Sequence, residues 1–264
     1  MKYKIVPLIQ SYITAPLGVA FYLGDMRTLI TTGVYIWAIT GGDKKIVVDS
    51  GMDAPGPDGL VHGFPARGGG EKGTRDALAQ VGWSPEDVDI LILTHLHFDH
   101  IATVHLFKNA SIIVQKREWN FAHNPTPHMM GTYDQQILRK LEDMKLELVD
   151  GDTEITYGLS VVLLPGHTKG LQGVMVDTEK GKYLLSSDHF YTYPNIDPPK
   201  EPIEIEDLQG NKFVLQPSPL PFMPIGLHVD LSEWFESSFK AIQVTSKDKI
   251  IPGHDPSVAG KIFP

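Results

Sequence analysis

His95, His97, Asp99 and His100 stand within one short stretch, Thr94-His-Leu-His-Phe-Asp-His100, directly after the apolar run Asp89-Ile-Leu-Ile-Leu-Thr94. That run is short, Ile/Leu-rich and bounded by polar residues, so it reads as a buried strand. Four ionisable side chains crowded at the end of a buried strand cannot be left unpartnered in a dry core. Neutral imidazole and carboxylate are the usual N and O donors to zinc and its first-row neighbours, so a pair of divalent metal ions is expected there.

Bulk properties narrow the setting. A chain of 264 residues, 42% hydrophobic and 21% charged, has the make-up of an ordinary globular protein with a sizeable core. The formal charge of −9 argues against nucleic acid as a partner, because binding it needs clustered Lys and Arg. The absence of cysteine excludes disulfides and thiolate ligands. The segment Met1–Gln10 does not read as a signal peptide, and no apolar run approaches membrane-spanning length, so a cytoplasmic protein with no membrane partner is expected.

Strands are expected at residues 4–9, 33–40 and 45–49, the last two joined by a tight hairpin at Gly41-Gly42. Residues 51–73, rich in Gly and Pro, read as loop. Thr74 is expected to cap a short helix through Val81, and Ser84-Pro-Glu-Asp87 carries a helix-start signature. Further strands are expected near 111–115, 147–149, 154–157 and 160–164, with a hairpin over 171–187. Amphipathic helices are expected over 133–145 and from a Ser232 cap to about Val244, with Trp234, Phe235, Phe239 and Ile242 apolar. A last strand is expected at 249–251. Residues 193–224, Pro-rich and weakly periodic, read as a covering loop or insertion in one domain spanning 1–264. Strands outnumber helices, which predicts a layered α/β domain of two packed sheets with helices outside.

The pattern of an ionisable residue at a strand end recurs in Leu163-Leu-Pro-Gly-His167, Leu184-Leu-Ser-Ser-Asp188-His189 and Ile250-Ile-Pro-Gly-His254. Glycine before two of these histidines allows a sharp turn that presents the ring beyond the sheet edge. With these four segments in order, the chain resembles the metallo-β-lactamase superfamily from about Gly33 to His254. The resemblance implies an αββα sandwich of two mixed β-sheets. It implies one metal held by His95, His97 and His167, and a second held by Asp99, His100 and His254. Asp188 and a hydroxide would bridge the two. Zinc is the expected metal, with Fe, Mn and Co as alternatives. Asp49 resembles the family's supporting aspartate, and its other reading is a strand-end Asp starting a turn. His62, His105, His123, His128, His189 and His228 lack motif partners and read as surface or hydrogen-bonded residues.

Within the superfamily, His95-Leu-His-Phe-Asp-His100 and Asp49-Ser-Gly-Met52 resemble the N-acyl-homoserine lactone lactonases, as does Tyr191, three residues after Asp188. That resemblance implies lactone opening by a metal-bridging hydroxide, with Asp99 and Tyr191 as catalytic residues, quorum quenching as the setting and a homodimer as an open option. Ile101-Ala-Thr103 departs from the family's usual Ala-Gly-Gly and would reshape the pocket mouth. A glyoxalase II-like thioester hydrolase is the alternative, resting on Lys247, Lys249 and Lys261 as anchors for glutathione carboxylates. Phosphotriesterase-like activity and a metal-containing sensor or binding protein remain further readings.

Overall fold

Side-chain alternation assigns each strand residue to a layer. Between Val34 and Ile39, Tyr35, Trp37 and Ile39 point one way, Val34, Ile36 and Ala38 the other, and all six are buried. A strand buried on both faces belongs to a sheet covered on both sides. The computed structural model describes residues 2–264 and has this layering. Its first sheet contains β1 (Lys4–Pro16), β2 (Leu29–Thr40), β3 (Ile46–Val48), β4 (Leu60–Val61), β5 (Phe64–Gly68), β6 (Ile90–Ile92), β7 (Ser111–Gln115) and β8 (Leu146–Val149). Their order is β4-β5-β1-β2-β3-β6-β7-β8. The next strands are β9 (Thr153–Thr156), β10 (Leu159–Leu163), β11 (Gln172–Thr178) and β12 (Gly181–Ser187). They are followed by the separate hairpin β13 (Ile203–Glu206) and β14 (Lys212–Leu215), and by β15 (Ile250–Pro252). The second sheet runs β15-β12-β11-β10-β9. The helices are α1 (Leu17–Ala20), α2 (Gly70–Ala79), α3 (Phe98–Ile101), α4 (Lys116–His123), α5 (Gln135–Glu142), α6 (Tyr193–Ile196) and α7 (Leu231–Val244).

Trp37, Ile46, Val48, Ile90 and Ile92 of the first sheet meet Val161, Val174, Val176 and Leu185 of the second. The outer face of the first sheet, with Ile36, Val47, Leu91 and Ile112, is covered by Leu78 of α2, Ala122 of α4 and Leu138 of α5. The outer face of the second, with Val162, Met175 and Leu184, is covered by Trp234 and Ala241 of α7. The fold is therefore the αββα sandwich. Parallel pairing of β3 with β6, and of β12 with β15, brings the C-terminal ends of these strands to one rim. Such a rim is where open α/β sheets place their sites.

Several local expectations need correction. Residues 51–73 are not plain loop: β4 and β5 form a hairpin there, and α2 already begins at Gly70. Gly68, Gly69 and Gly70 all have positive φ, so the backbone itself makes the turn into α2. Thr74 sits inside α2, buried, with its hydroxyl 2.8 Å from that of Thr103. Ser84–Asp87 forms its capping box but nucleates only one 3-10 turn. The cap of α7 is Asp230, whose carboxylate accepts from the N–H groups of Ser232 and Glu233; Phe239 on that helix is exposed. The 193–224 segment carries α6 and the β13–β14 hairpin, and Asp207 ties it to β2 by accepting from Thr31 N–H at 3.0 Å. No helix among the described residues is long and apolar enough to cross a membrane.

Candidate metal centre

Four strand ends converge at the rim. Asp49 follows β3, His95 follows β6, Asp188 follows β12 and His254 follows β15. Asp49 (φ 60°) and Ser187 (φ 48°) hold left-handed backbone without being glycine. Strain of this kind, on the order of 1–3 kcal/mol, clusters where side chains must be aimed. Gly166, before His167, has φ 136°, and a Cβ there would meet the backbone of Trp234 at 2.4 Å. Gly253, before His254, is required for a different reason: a Cβ would lie 2.7 Å from the Ser187 backbone.

The expected residues form two adjacent groups, His95, His97 and His167, and Asp99, His100, Asp188 and His254. In the first, His167 Nε2 lies 3.3 Å from His95 Nε2 and 3.1 Å from His97 Nδ1. A tetrahedral zinc with bonds of about 2.0–2.1 Å needs ligand nitrogens roughly 3.3 Å apart. In the second, Asp188 Oδ1 lies 3.2 Å from His100 Nε2 and 3.0 Å from His254 Nε2. Asp188 Oδ2 faces the first group instead, 3.5 Å from His167 Nε2 and 3.8 Å from His95 Nε2. One carboxylate thus spans both groups, as a bridging ligand must. Asp99 Oδ2 closes the second group, 3.6 Å from His100 Nε2 and 3.9 Å from His254 Nε2.

The outer nitrogens fix the tautomers. Nδ1 of His95 is 3.1 Å from Thr94 Oγ1, that of His100 donates to Asp49 Oδ2 at 2.8 Å, that of His167 to Leu227 O at 2.8 Å, and that of His254 to Gly33 O at 2.8 Å. With the proton on Nδ1, each Nε2 lone pair faces the cluster, and such partners are what metal-binding imidazoles require. The buried Nε2 atoms of His100 and His254 make no hydrogen bond, although Asp188 is close to both. Unpaired buried nitrogens facing a shared carboxylate, with the matching donor set, fit two divalent cations.

The electrostatics agree. Burial and neighbouring imidazoles hold His95 and His97 well below the usual histidine range, and burial lowers His167. These rings are neutral, as ligands must be. Burial acts the same way on His100 and His254, but the carboxylates of Asp188 and Asp99 outweigh it and push both up. Burial raises the Asp188 carboxyl, yet His100 and His254 hold it well below the usual carboxylate range. The second group is a negative pocket that calls for a cation.

Tyr191 is buried, its ring 5.8 Å from that of His167 and 5.4 Å from that of His254. Burial, then Asp188 and Asp99, push its phenol well above its ordinary value, so it keeps its proton. A cavity of about 170 Å³ opens onto Asp99, Asp188, Tyr191 and His254. Its walls are mostly apolar, including Ile13, Val19, Ile30, Phe64, Phe98 and Leu227.

Asp49 is at the supporting position rather than merely starting a turn: besides His100, its carboxylate accepts from Thr94 N–H at 2.8 Å and from the Thr94 hydroxyl. His189 is not at the centre; its Nε2 pairs with Ser238 Oγ at 2.9 Å and its ring stacks on Trp234. His62 stacks on Phe98, and His105 and His123 pair with Glu71 and Glu142. The sequence reading missed Glu118, a carboxylate buried in α4 beside the three-histidine group. Nothing in Lys116-Arg-Glu118-Trp119 distinguishes it from a solvated helix face.

A sandwich with two groups of His and Asp side chains at one rim, each able to hold a cation, defines a class of metal-dependent hydrolase folds. The family model described as "Metallo-beta-lactamase superfamily" matches residues 29–254. The chain belongs to the metallo-β-lactamase superfamily and is a metal-dependent hydrolase. An N-acyl homoserine lactonase from a Bacillus species is 31% identical over 178 residues, 64% of this chain and 68% of that protein. The lactonase AttM from Rhizobium radiobacter is 32% identical over 129 residues, 46% of this chain and 49% of its own length. Among solved structures, a mutant of AiiA from B. thuringiensis with N-decanoyl-L-homoserine bound superposes with a TM-score of 0.76 at 23% identity, covering 97% of this chain and 95% of that one. At that identity the likeness speaks for the fold.

Proposed function

We propose that this chain opens the ring of an N-acyl-homoserine lactone or a closely related lactone. The observation that carries the reading is the apolar cavity ending on the two-cation cluster, with a protonated Tyr191 at the junction. Such a cavity suits an acyl chain, while the cluster suits a polar ring. The lactonases among the relatives support the same substrate class.

His95, His97 and His167 would hold one divalent ion, and Asp99, His100 and His254 the other, with Asp188 across both. Bound there, the ions supply a water of lowered pKa and polarise the ester carbonyl. The chain's own residues do the rest. The cavity walls hold the acyl chain and exclude water from it. Tyr191, kept protonated, donates a hydrogen bond to the carbonyl oxygen as negative charge gathers there. The water oxygen bonds to the carbonyl carbon and gives up a proton to the Asp99 carboxylate, the ring C–O bond breaks, and the leaving oxygen takes a proton from Asp99, or from Tyr191, which recovers its own from Asp99. The product is a hydroxy acid.

The thioester reading loses support. No Lys or Arg is among the described residues lining the cavity. Lys247 pairs with Asp197, Lys249 lies against Tyr183, and Lys261 stands over the Tyr193 ring. Turnover of a lactone panel, with thioesters and phosphotriesters alongside at equal metal loading, tests the proposal. Lactone kcat/KM should rise about fourfold per added acyl methylene, from ~0.8 kcal/mol of burial each, until the cavity is full. Faster turnover of thioesters or phosphotriesters than of any lactone would reject it.

A further inference from the structure

We infer that Glu118 is a positioning residue that holds the three-histidine group in register from outside, without touching metal or substrate. The inference rests on the reading that this group holds a cation. Glu118 is fully buried, and its two oxygens divide between the two chain segments that carry those histidines. Oε1 accepts the N–H of Leu96 at 3.0 Å, the residue between His95 and His97. Oε2 accepts the hydroxyl of Thr168 at 2.6 Å and the N–H of Gly170 at 3.1 Å, both just past His167. The Tyr133 hydroxyl donates to Oε1 at 3.0 Å, and the Tyr133 ring stands edge-on to His97, 4.8 Å between centroids. His97 lacks the outer hydrogen bond that orients the other histidines, since its Nε2 is buried without a partner. Its ring is held instead by Tyr133 and by the Leu96 backbone, and both of these hang on Glu118.

Close packing enforces the arrangement. A Cβ at Gly170 would lie 2.1 Å from the Glu118 nitrogen, so the loop after His167 is seated directly on the backbone of α4. Each oxygen of Glu118 takes a backbone N–H, which can only donate. An amide in place of the carboxylate must therefore set an NH₂ against one of them, whichever way it is turned. Glu118→Gln keeps volume and breaks one of the two tethers.

The test reads metal affinity, and a His254→Asn background leaves the three-histidine group as the complete site. Metal-stripped protein is titrated with Co(II) against a competing chelator, and the thermal midpoint of the metal-free form is recorded. Wild type should take up two equivalents. In the His254→Asn background, Glu118→Gln should weaken the remaining equivalent about 10–100-fold, the usual range for loss of an outer-shell partner. In a His97→Asn background, which cripples the first group, the same substitution should change affinity by less than about threefold. Equal losses in both backgrounds, or no loss in either, would overturn the inference. If Glu118→Gln does not fold, Thr168→Val decides, since it removes one Oε2 bond only. It should weaken the three-histidine site alone, and an unchanged affinity there overturns the inference. Failure of wild type to bind metal would instead sink the functional reading on which the inference rests.

Discussion

Replacing Asp49 with Asn changes hydrogen-bond polarity and almost nothing else. Asn has the shape of Asp and tolerates left-handed backbone, so the φ of 60° at this position adds no new strain. The carboxylate of Asp49 accepts from His100 Nδ1 through Oδ2 and from Thr94 N–H through Oδ1, both at 2.8 Å. An Asn amide placed at Oδ1 meets the Thr94 N–H, a donor that cannot change. The amide therefore turns toward His100, whose ring can respond by moving its proton to Nε2. That nitrogen faces Asp188 Oδ1 at 3.2 Å and is the atom a cation needs free. The second group should then lose about 10–100-fold in metal affinity, or ~1.4–2.7 kcal/mol, while the three-histidine group is spared. Calorimetric titration of metal-stripped protein should resolve one equivalent near wild-type affinity and one weakened. The metal-free form should lose no more than ~1 kcal/mol, a shift in melting temperature of about 2–4 °C. Two equivalents of wild-type affinity in the variant would refute the role given to Asp49.

Other outcomes follow from the same geometry. Tyr191→Phe should keep full metal content and lower lactone kcat by up to about a hundredfold, the scale of one lost oxyanion donor; wild-type kcat would reduce Tyr191 to packing. Gly170→Ala should cost about 1–3 kcal/mol or more in urea unfolding, because a Cβ there meets the Glu118 backbone; an unchanged midpoint would contradict the close approach. Burial, then His167, lower His189 to about 3. Since its unfolded value is near 6.5, the folded state binds fewer protons between these limits. Its contribution is complete above pH 6.5 and declines as pH falls toward 3. The stability gap between wild type and His189→Gln should therefore shift against wild type between pH 7.5 and 4.5, and a gap independent of pH would count against a buried neutral ring.

The candidate cation-binding groups were legible because each expected ligand sits in a local pattern, a hydrophobic strand, a turn and an ionisable residue, and because those segments, taken in order, resemble a known superfamily. Pairing of strands then does the assembly, so His167, Asp188 and His254 could be read without knowing the distances between them. The sandwich was legible for the same reason, from short apolar runs such as Ile90–Ile92 and Ser111–Gln115. What local pattern does not encode was missed. The β4–β5 hairpin lies in a Gly/Pro-rich stretch whose strands bury little, so hydrophobic periodicity is silent there. Asp230 and Ser232 are both good cap residues, and the chain's path after Leu227 decides between them. Glu118 looks like any helix-surface acid until three distant segments fold around it. The cavity walls come from β1, α1, β2, β5 and residue 227, which no window of sequence brings together.

The claim that two adjacent cations sit at this rim is tested most directly by counting them. Metal-stripped protein titrated with Zn(II) or Co(II) should saturate at two equivalents per chain, and Asp188→Ala, which removes the carboxylate facing both groups, should weaken both. Saturation at one equivalent, or a full pair retained without Asp188, would contradict it.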